Sequence, residues 1–324
     1  MTNFFRWLVM RKGWGYPYCL NIRDSIVWSV IPAVFFSAII ATIVCYLYIF
    51  CGFRLITLDS TVVNTISALL GFLLALHASH TFERYFEGRK AFQDTCGLIR
   101  TAFRITWTNM DRVSNKEKVV LMKLWLAFVV ATIHSLRSES GIDSKEIKGL
   151  LPRDFHLQKV VQISEITPSS KINPCMDLPL EIIAYLNLYY SKKFSEKEFD
   201  GISFGIISEA LNDLTRFLGN MHTISDAPIP FPYQIHMKQS LNIYICFLSL
   251  ALVESMGWAT IPIVAIIAFI LFGLETLGNE IANPFGDDES DLPLEEFCDN
   301  LESEMDYYIK NIPTNINNIN LSDS

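Results

Sequence analysis

Two groups of side chains in this sequence have the types and spacing that bind metal ions. His77 and His80 lie three residues apart, which on a helix brings both imidazoles within reach of one ion. No third ligand is apparent near them, which weighs against a metal site. The acidic run after Gly286, with sequence DDESD, is rich in the oxygen ligands that Ca²⁺ prefers. A solvated segment that caps a following helix over Leu292–Glu302 is the alternative interpretation of this run.

The two histidines end an uncharged stretch, Thr61–Ser79, which is long enough to cross most of a bilayer as a helix. The charged residues that follow, as far as Phe92, continue the helical pattern. One face of this helix forms a stripe at helical spacing: Thr65, Leu69, Phe72, Leu76 and His80. In a monomer this stripe would be core. In a symmetric oligomer it could surround an axis as an apolar constriction that gates by wetting and dewetting, with His80 at the inner end, where protonation would repel cations.

Composition favours a membrane protein with a sizeable polar part. The chain has 324 residues, 51% of them hydrophobic, and a formal net charge of -8; its mean hydropathy is +0.29. The acidic balance argues against nucleic acid as a partner. The seven cysteines form no CxxC pair, so neither a disulfide framework nor a zinc site is expected.

The hydropathy pattern predicts an all-α membrane protein with four crossings and both termini in the cytoplasm. The expected spans are Ser25–Phe50, Thr61–Ser79, Gln239–Ser255 and Trp258–Leu277. Basic residues on the flanks set the orientation. The expected organisation is a cytosolic segment (1–24), a first helix pair with the neck (25–79), a cytosolic helical region (80–237), a second pair (238–281), an acidic cytosolic segment (282–310) and a disordered tail (311–324).

The polar region contains one stretch that resembles a membrane span. Glu117–Arg137 is apolar on one face, but its uncharged part is short and basic residues stand at both ends, so we interpret it as a buried cytosolic helix.

Three local patterns in the polar region predict loops and a helix start. Thr167–Pro174 is predicted to be a loop. Ser195 and Glu198 fit a capping box that would open a helix. The three prolines of Asp226–Tyr233 predict a segment that is not helical.

Three landmarks, in order along the chain, resemble the bestrophin family, in its prokaryotic-type branch. They are Arg84–Arg89 (RYFEGR), Ile229–Tyr233 (IPFPY) and the segment from Asn283 (NPFGDDESDLPL). The resemblance covers nearly the whole chain. It implies a homopentamer of helical subunits around one pore that passes anions such as chloride, in a bacterial inner membrane.

The resemblance also implies which residues form the pore. Counting back from Arg84 places the family's apolar neck on Leu76, Phe72 and Ala68. The apolar stripe defined above from helical spacing alone also contains Leu76 and Phe72. Ala68 is small where the family has a larger residue, which suggests a wider outer neck. Counting back from Ile229 places the cytosolic aperture at Ile202, for which a buried core position is the alternative.

The calcium clasp of animal bestrophins would map onto residues of the acidic segment: Asn283, Asp287, Asp288, Glu289 and Asp291. Ser290 stands where the animal pattern has another acid, and prokaryotic members often lack a working clasp. No cofactor is therefore required by the resemblance, and Ca²⁺ is a candidate ligand.

The leading hypothesis is a passive homopentameric channel for inorganic anions, embedded in lipid and without catalytic activity. A cation-selective channel of the same fold is the first alternative, since the net acidity of the chain favours cations. The others are a non-conducting membrane scaffold and a metal-dependent membrane protein that uses His77 and His80 or the acidic segment. A pentamer in detergent would favour the channel.

Overall fold

The computed structural model describes residues 26–52, 60–137, 145–151, 177–227, 229–288 and 290–313. All regular elements in these ranges are helical, which confirms the all-α prediction. The helices are α1 (Val27–Ile49), α2 (Ser60–Thr108), α3 (Asn115–Leu136), α4 (Lys145–Leu150), α5 (Leu178–Ser195), α6 (Gly201–Asp226), α7 (Phe231–Met256), α8 (Thr260–Glu280) and α9 (Leu294–Asn311). The predicted N-terminal segment (1–24), the Thr167–Pro174 loop, Glu289 and residues 314–324 of the predicted tail lie outside the described residues.

Within the described residues, four stretches are long and apolar enough to cross a membrane: Val27–Ile49, Thr61–Thr108, Asn115–Leu136 and Phe231–Glu280. The last of these contains α7 and α8, two of the expected spans. The stretch in α3 differs from the others, because 67% of its most apolar window is buried inside the chain, against 22% in each of the other three. This burial agrees with the interpretation of α3 as a core helix.

The chain divides into two units, and the first comprises Met1–Glu83 and Ile229–Ala282. In it, α1 packs against α7 and α8. Small buried residues at the contacts, including Ala41 and Ala268, let these helices approach closely. The turn between α7 and α8 depends on Gly257, whose φ of 54° is a conformation that favours glycine. The Cys45 thiol donates to the Gly257 carbonyl at 3.4 Å, which ties this turn to α1.

The second unit comprises Arg84–Pro228 and Asn283–Ser324 and is built around α3. Helices α4, α5, α6 and α9 all pack on α3. Among the largest fully buried side chains of its core are these aromatic residues: Phe92, Phe103, Trp125, Phe128 and Tyr190. Aromatic side chains contribute much of the stabilisation of a core because each removes a large apolar area from water.

Tyr190 joins three helices through one buried hydroxyl. Its oxygen accepts from Trp125 Nε1 at 3.0 Å and lies 2.6 Å from Thr106 Oγ1. Burial raises the pKa of Tyr190 to about 12, so the hydroxyl keeps its proton at neutral pH. The core therefore contains a satisfied polar link between α2, α3 and α5.

Replacing Tyr190 with Phe is expected to lower the free energy of unfolding by about 1–3 kcal/mol, because Trp125 N–H loses its acceptor inside the core. Denaturant titration followed by tryptophan fluorescence measures this change. Tyr307→Phe is the matched control, because that side chain is 60% exposed. Equal destabilisation by the two variants would contradict the role given to the Tyr190 hydroxyl.

Two local predictions about helix ends were wrong. Ser195 is the last residue of α5 and does not open a helix. Helix α6 begins at Gly201, where Asp200 caps it by accepting the N–H groups of Ile202 and Ser203 at 2.9 Å. Glu198 pairs instead with Lys193, Oε2 to Nζ 2.7 Å.

The proline-rich segment is also more helical than predicted. Helix α6 continues to Asp226, and α7 begins at Phe231 with Pro232 in its first turn. Proline is compatible with that turn because the N–H it lacks would have no partner within the helix.

Candidate functional site

The predicted pore stripe of α2 lies outside the core of its own chain. Leu69, Phe72 and Leu76 are 60%, 61% and 39% exposed, and Ala68 is exposed beside them. The interpretation of this stripe as monomer core is therefore wrong. The same helix buries a different face, which includes Val63, Leu70, Leu74 and His77. Helix α2 thus presents large apolar side chains that need lipid, another subunit or a pore around them.

The two histidines have different surroundings. His77 is buried, and its ring centroid lies 5.9 Å from that of Tyr233. A Cβ on Gly278 would come within 2.6 Å of His77 Nε2, so α8 packs tightly there. His80 is exposed and lies near Glu83, Nδ1 to Oε2 3.8 Å. Nowhere in the described ranges do three or more His, Cys, Asp or Glu residues form a group that could hold a metal ion.

Ile202, the predicted aperture residue, stands in the first turn of α6 and is 79% exposed. Ser203 and Ile207 on the same helix are buried. The alternative interpretation of Ile202 as a core residue is therefore wrong. A single exposed isoleucine is common on protein surfaces, and this position is compatible with a constriction or a subunit contact.

Two of the sequence landmarks meet in space. Gly88, in RYFEGR, faces the NPFG turn so closely that a Cβ would lie 2.8 Å from Pro284 Cγ and 3.0 Å from Phe285 Cζ. Phe285 is fully buried. Arg84, at the start of the same landmark, donates from Nη2 to the Ile224 carbonyl at 2.7 Å, near the end of α6. These landmarks are therefore packing sites of the second unit.

The acidic segment is held by bonds within the chain. Asp291 Oδ2 accepts the Asp288 N–H at 2.8 Å, and the Leu292 N–H donates to the Pro284 carbonyl at 3.0 Å. Burial raises the pKa of Asp291, against the lowering effect of the Asp288 hydrogen bond. The Asp291 carboxylate therefore stabilises the backbone of the turn through this hydrogen bond.

Arg137, which the sequence did not single out, lies against this segment. Its guanidinium pairs with Asp287, Nη2 to Oδ1 2.9 Å, and with Glu295, Nη1 to Oε1 2.5 Å. Burial raises the pKa of Glu295, but the hydrogen bond from Arg137, a backbone hydrogen bond and the nearby positive charge lower it together, so that the pKa lies below its usual value. The only sequence signal was its place as the basic residue that ends an apolar helix.

These contacts do not fit a calcium clasp. Of the implied ligands, Asp287 is paired with Arg137 and Asp291 with the backbone, while Glu289 lies outside the described residues. A Ca²⁺ ion needs six to eight oxygen ligands, and a guanidinium beside it would repel it. The calcium site stays a prediction from the resemblance, and no step of a mechanism is assigned to it.

Several helices suited to lipid and an apolar stripe that its own subunit leaves unburied define an integral membrane protein, all-helical in its described part. Comparison with protein families then gives its class. Residues 7–307 match the model of the bacterial/fungal bestrophin protein family. The chain belongs to that family.

Individual proteins similar to this chain support the family assignment. A voltage-dependent anion channel-forming protein of Nostoc is 30% identical over 304 residues, which cover 92% of each chain. A protein of the same description from Synechocystis is 28% identical over 302 residues, covering 92% of this chain and 81% of that one. A crystal structure of a variant of the bacterial bestrophin homologue from Klebsiella pneumoniae matches 87% of this chain and 99% of its own with a TM-score of 0.75 at 18% identity, which shows a shared fold.

Proposed function

We propose that this chain forms a passive anion channel, in which several copies, five by the family resemblance, place α2 around a common axis. The observation that carries the proposal is the exposed stripe of α2. It is composed of large apolar side chains that the subunit itself leaves unburied. The proposed neck is formed by Phe72 and Leu76, one helical turn apart, with Ala68 at a wider outer level and His80 at the inner mouth.

Ion conduction through such a neck involves no chemical reaction. Ions cross it down their electrochemical gradient, and its apolar wall allows water and ions to pass only when it is wide enough to stay wet. An apolar ring carries no charge to select between cations and anions, so the field of the wider cavities sets the sign. The relatives named as anion channel-forming proteins support anions. The net charge of -8 weakly favours cations.

We place Ile202 at a second constriction on the cytosolic side, because its exposure leaves it available to neighbouring subunits or to the pore. We further propose that α1, the first part of α2, α7 and α8 cross a bacterial inner membrane, with both termini and the second unit in the cytoplasm. The basic residues that follow the span in α2, Arg84, Arg89 and Lys90, support this orientation.

Chloride efflux from proteoliposomes tests the proposal. Vesicles loaded with KCl and diluted into a chloride-free impermeant salt should release chloride only after valinomycin is added, because outward potassium flux must balance the charge. Protein-free vesicles treated in the same way are the control. Absence of chloride release after valinomycin, from protein shown to be oligomeric in detergent, would contradict anion conduction and favour the cation channel or the scaffold.

A further inference from the structure

The side chain of Arg137 is enclosed by the acidic turn and is only 12% exposed. Its Nε donates to the Phe285 carbonyl at 3.3 Å, and its Nη2 donates to the Gly286 carbonyl at 3.2 Å. The same guanidinium pairs with the Asp287 and Glu295 carboxylates. One cation is therefore surrounded by two backbone carbonyls and two carboxylates, which are the ligand types that a hard divalent cation takes.

The contacts join three parts of the second unit. Arg137 follows α3 directly, Phe285 to Asp287 form the turn, and Glu295 lies in the first turn of α9. The planar guanidinium has five N–H donors in fixed directions, so it can serve several oxygens at once, as a metal ion does. It also carries its charge at any physiological pH.

The turn is also held by contacts of its own, which do not involve Arg137. Leu292 N–H is bonded to the Pro284 carbonyl, and a Cβ on Gly286 would lie 2.5 Å from Asp291 Oδ2. These contacts would keep the carbonyl oxygens of the turn close to their positions when the guanidinium is removed.

We propose that Arg137 takes the place of a bound divalent cation: the acidic turn is ordered by a cation built into the chain, and removing that cation creates a Ca²⁺ site. The order of the turn is then independent of calcium in the natural protein. In Arg137→Ala, the two carbonyls and two carboxylates lose their donor and converge on a space that an ion can fill. This inference does not depend on conduction, so its test leaves the channel proposal untouched.

Thermal unfolding of the purified full-length protein, in EDTA and in millimolar CaCl₂, tests the proposal. The wild-type midpoint is expected to be the same in both. Arg137→Ala is expected to unfold roughly 2–4 °C lower in EDTA, because the Phe285 and Gly286 carbonyls lose their donor and the Asp287 and Glu295 carboxylates lose their partner, and to regain much of that loss in CaCl₂. Asp287→Asn added to Arg137→Ala should abolish the recovery.

Arg100→Ala is the matched control, because Arg100 also pairs with a carboxylate on α9, Nε to Glu304 Oε2 2.7 Å, but at an exposed position. It should show no calcium response. Arg137→Lys keeps the positive charge but has fewer N–H donors, so its unfolding midpoint in EDTA should lie between those of wild type and Arg137→Ala. This variant tests the proposal even if the alanine variant does not fold. Calorimetric titration of wild type with CaCl₂ should show no binding. Stabilisation of wild type by calcium, an unchanged midpoint in both Arg137 variants, or destabilised variants that calcium does not restore would each overturn the proposal.

Discussion

Alanine at both Phe72 and Leu76 is expected to raise the single-channel conductance several-fold. The two side chains are 61% and 39% exposed on one face of α2, four residues apart, so they occupy successive turns of the proposed neck. Truncating them in every subunit widens two rings at once and lowers the cost of wetting the constriction. Recording from single channels in planar bilayers measures the change.

The control for this prediction is Phe35→Ala. Phe35 is 67% exposed on α1, outside the stripe, and its removal should leave the conductance unchanged. If Phe72→Ala/Leu76→Ala has the wild-type conductance while its oligomeric state is intact, the neck lies elsewhere. An equal increase in Phe35→Ala would show that the effect is not specific to the stripe.

Alanine at Gly88 is expected to destabilise the protein by about 1–3 kcal/mol, the usual cost of overpacking. Its Cβ would press on Pro284 and on Phe285 at 2.8 and 3.0 Å. Neither ring can move aside easily, because Phe285 is fully buried and its carbonyl is bonded to Arg137. The midpoint of thermal unfolding in detergent measures the loss.

Gly97 provides the matched substitution in the same helix. A Cβ there meets nothing within 4 Å, so Gly97→Ala should stabilise α2 by up to about 1 kcal/mol through helix propensity alone. The two variants are therefore expected to shift the unfolding midpoint in opposite directions. A shift of the same sign and size in both would contradict the tight contact between the Gly88 landmark and the NPFG turn.

Properties that are averaged over many residues could be predicted from the sequence. The apolar stretches of the proposed spans each extend over about 20 residues, so single polar residues do not hide them. The buried state of α3 could be predicted because its uncharged part is short. The start of α6 could not, because Ser195 and Asp200 are both good caps and the choice depends on Lys193, which holds the Glu198 side chain.

The site was predictable only in part. Helical periodicity identified the stripe that contains Phe72 and Leu76, but periodicity cannot tell whether a face is buried in the subunit or exposed. For Ile202, too, the sequence pattern could not tell whether the side chain is buried or exposed. The role of Arg137 was not visible, because its partner Phe285 is 148 residues away and no local pattern connects them.

The reversal potential of the purified protein in a planar bilayer with asymmetric KCl tests the anion channel most directly. In this gradient the chloride and potassium equilibrium potentials have opposite signs, so one current–voltage curve distinguishes the two ions. We predict a reversal potential close to the chloride value. A reversal potential close to the potassium value would contradict the proposed selectivity and show that the neck belongs to a cation channel.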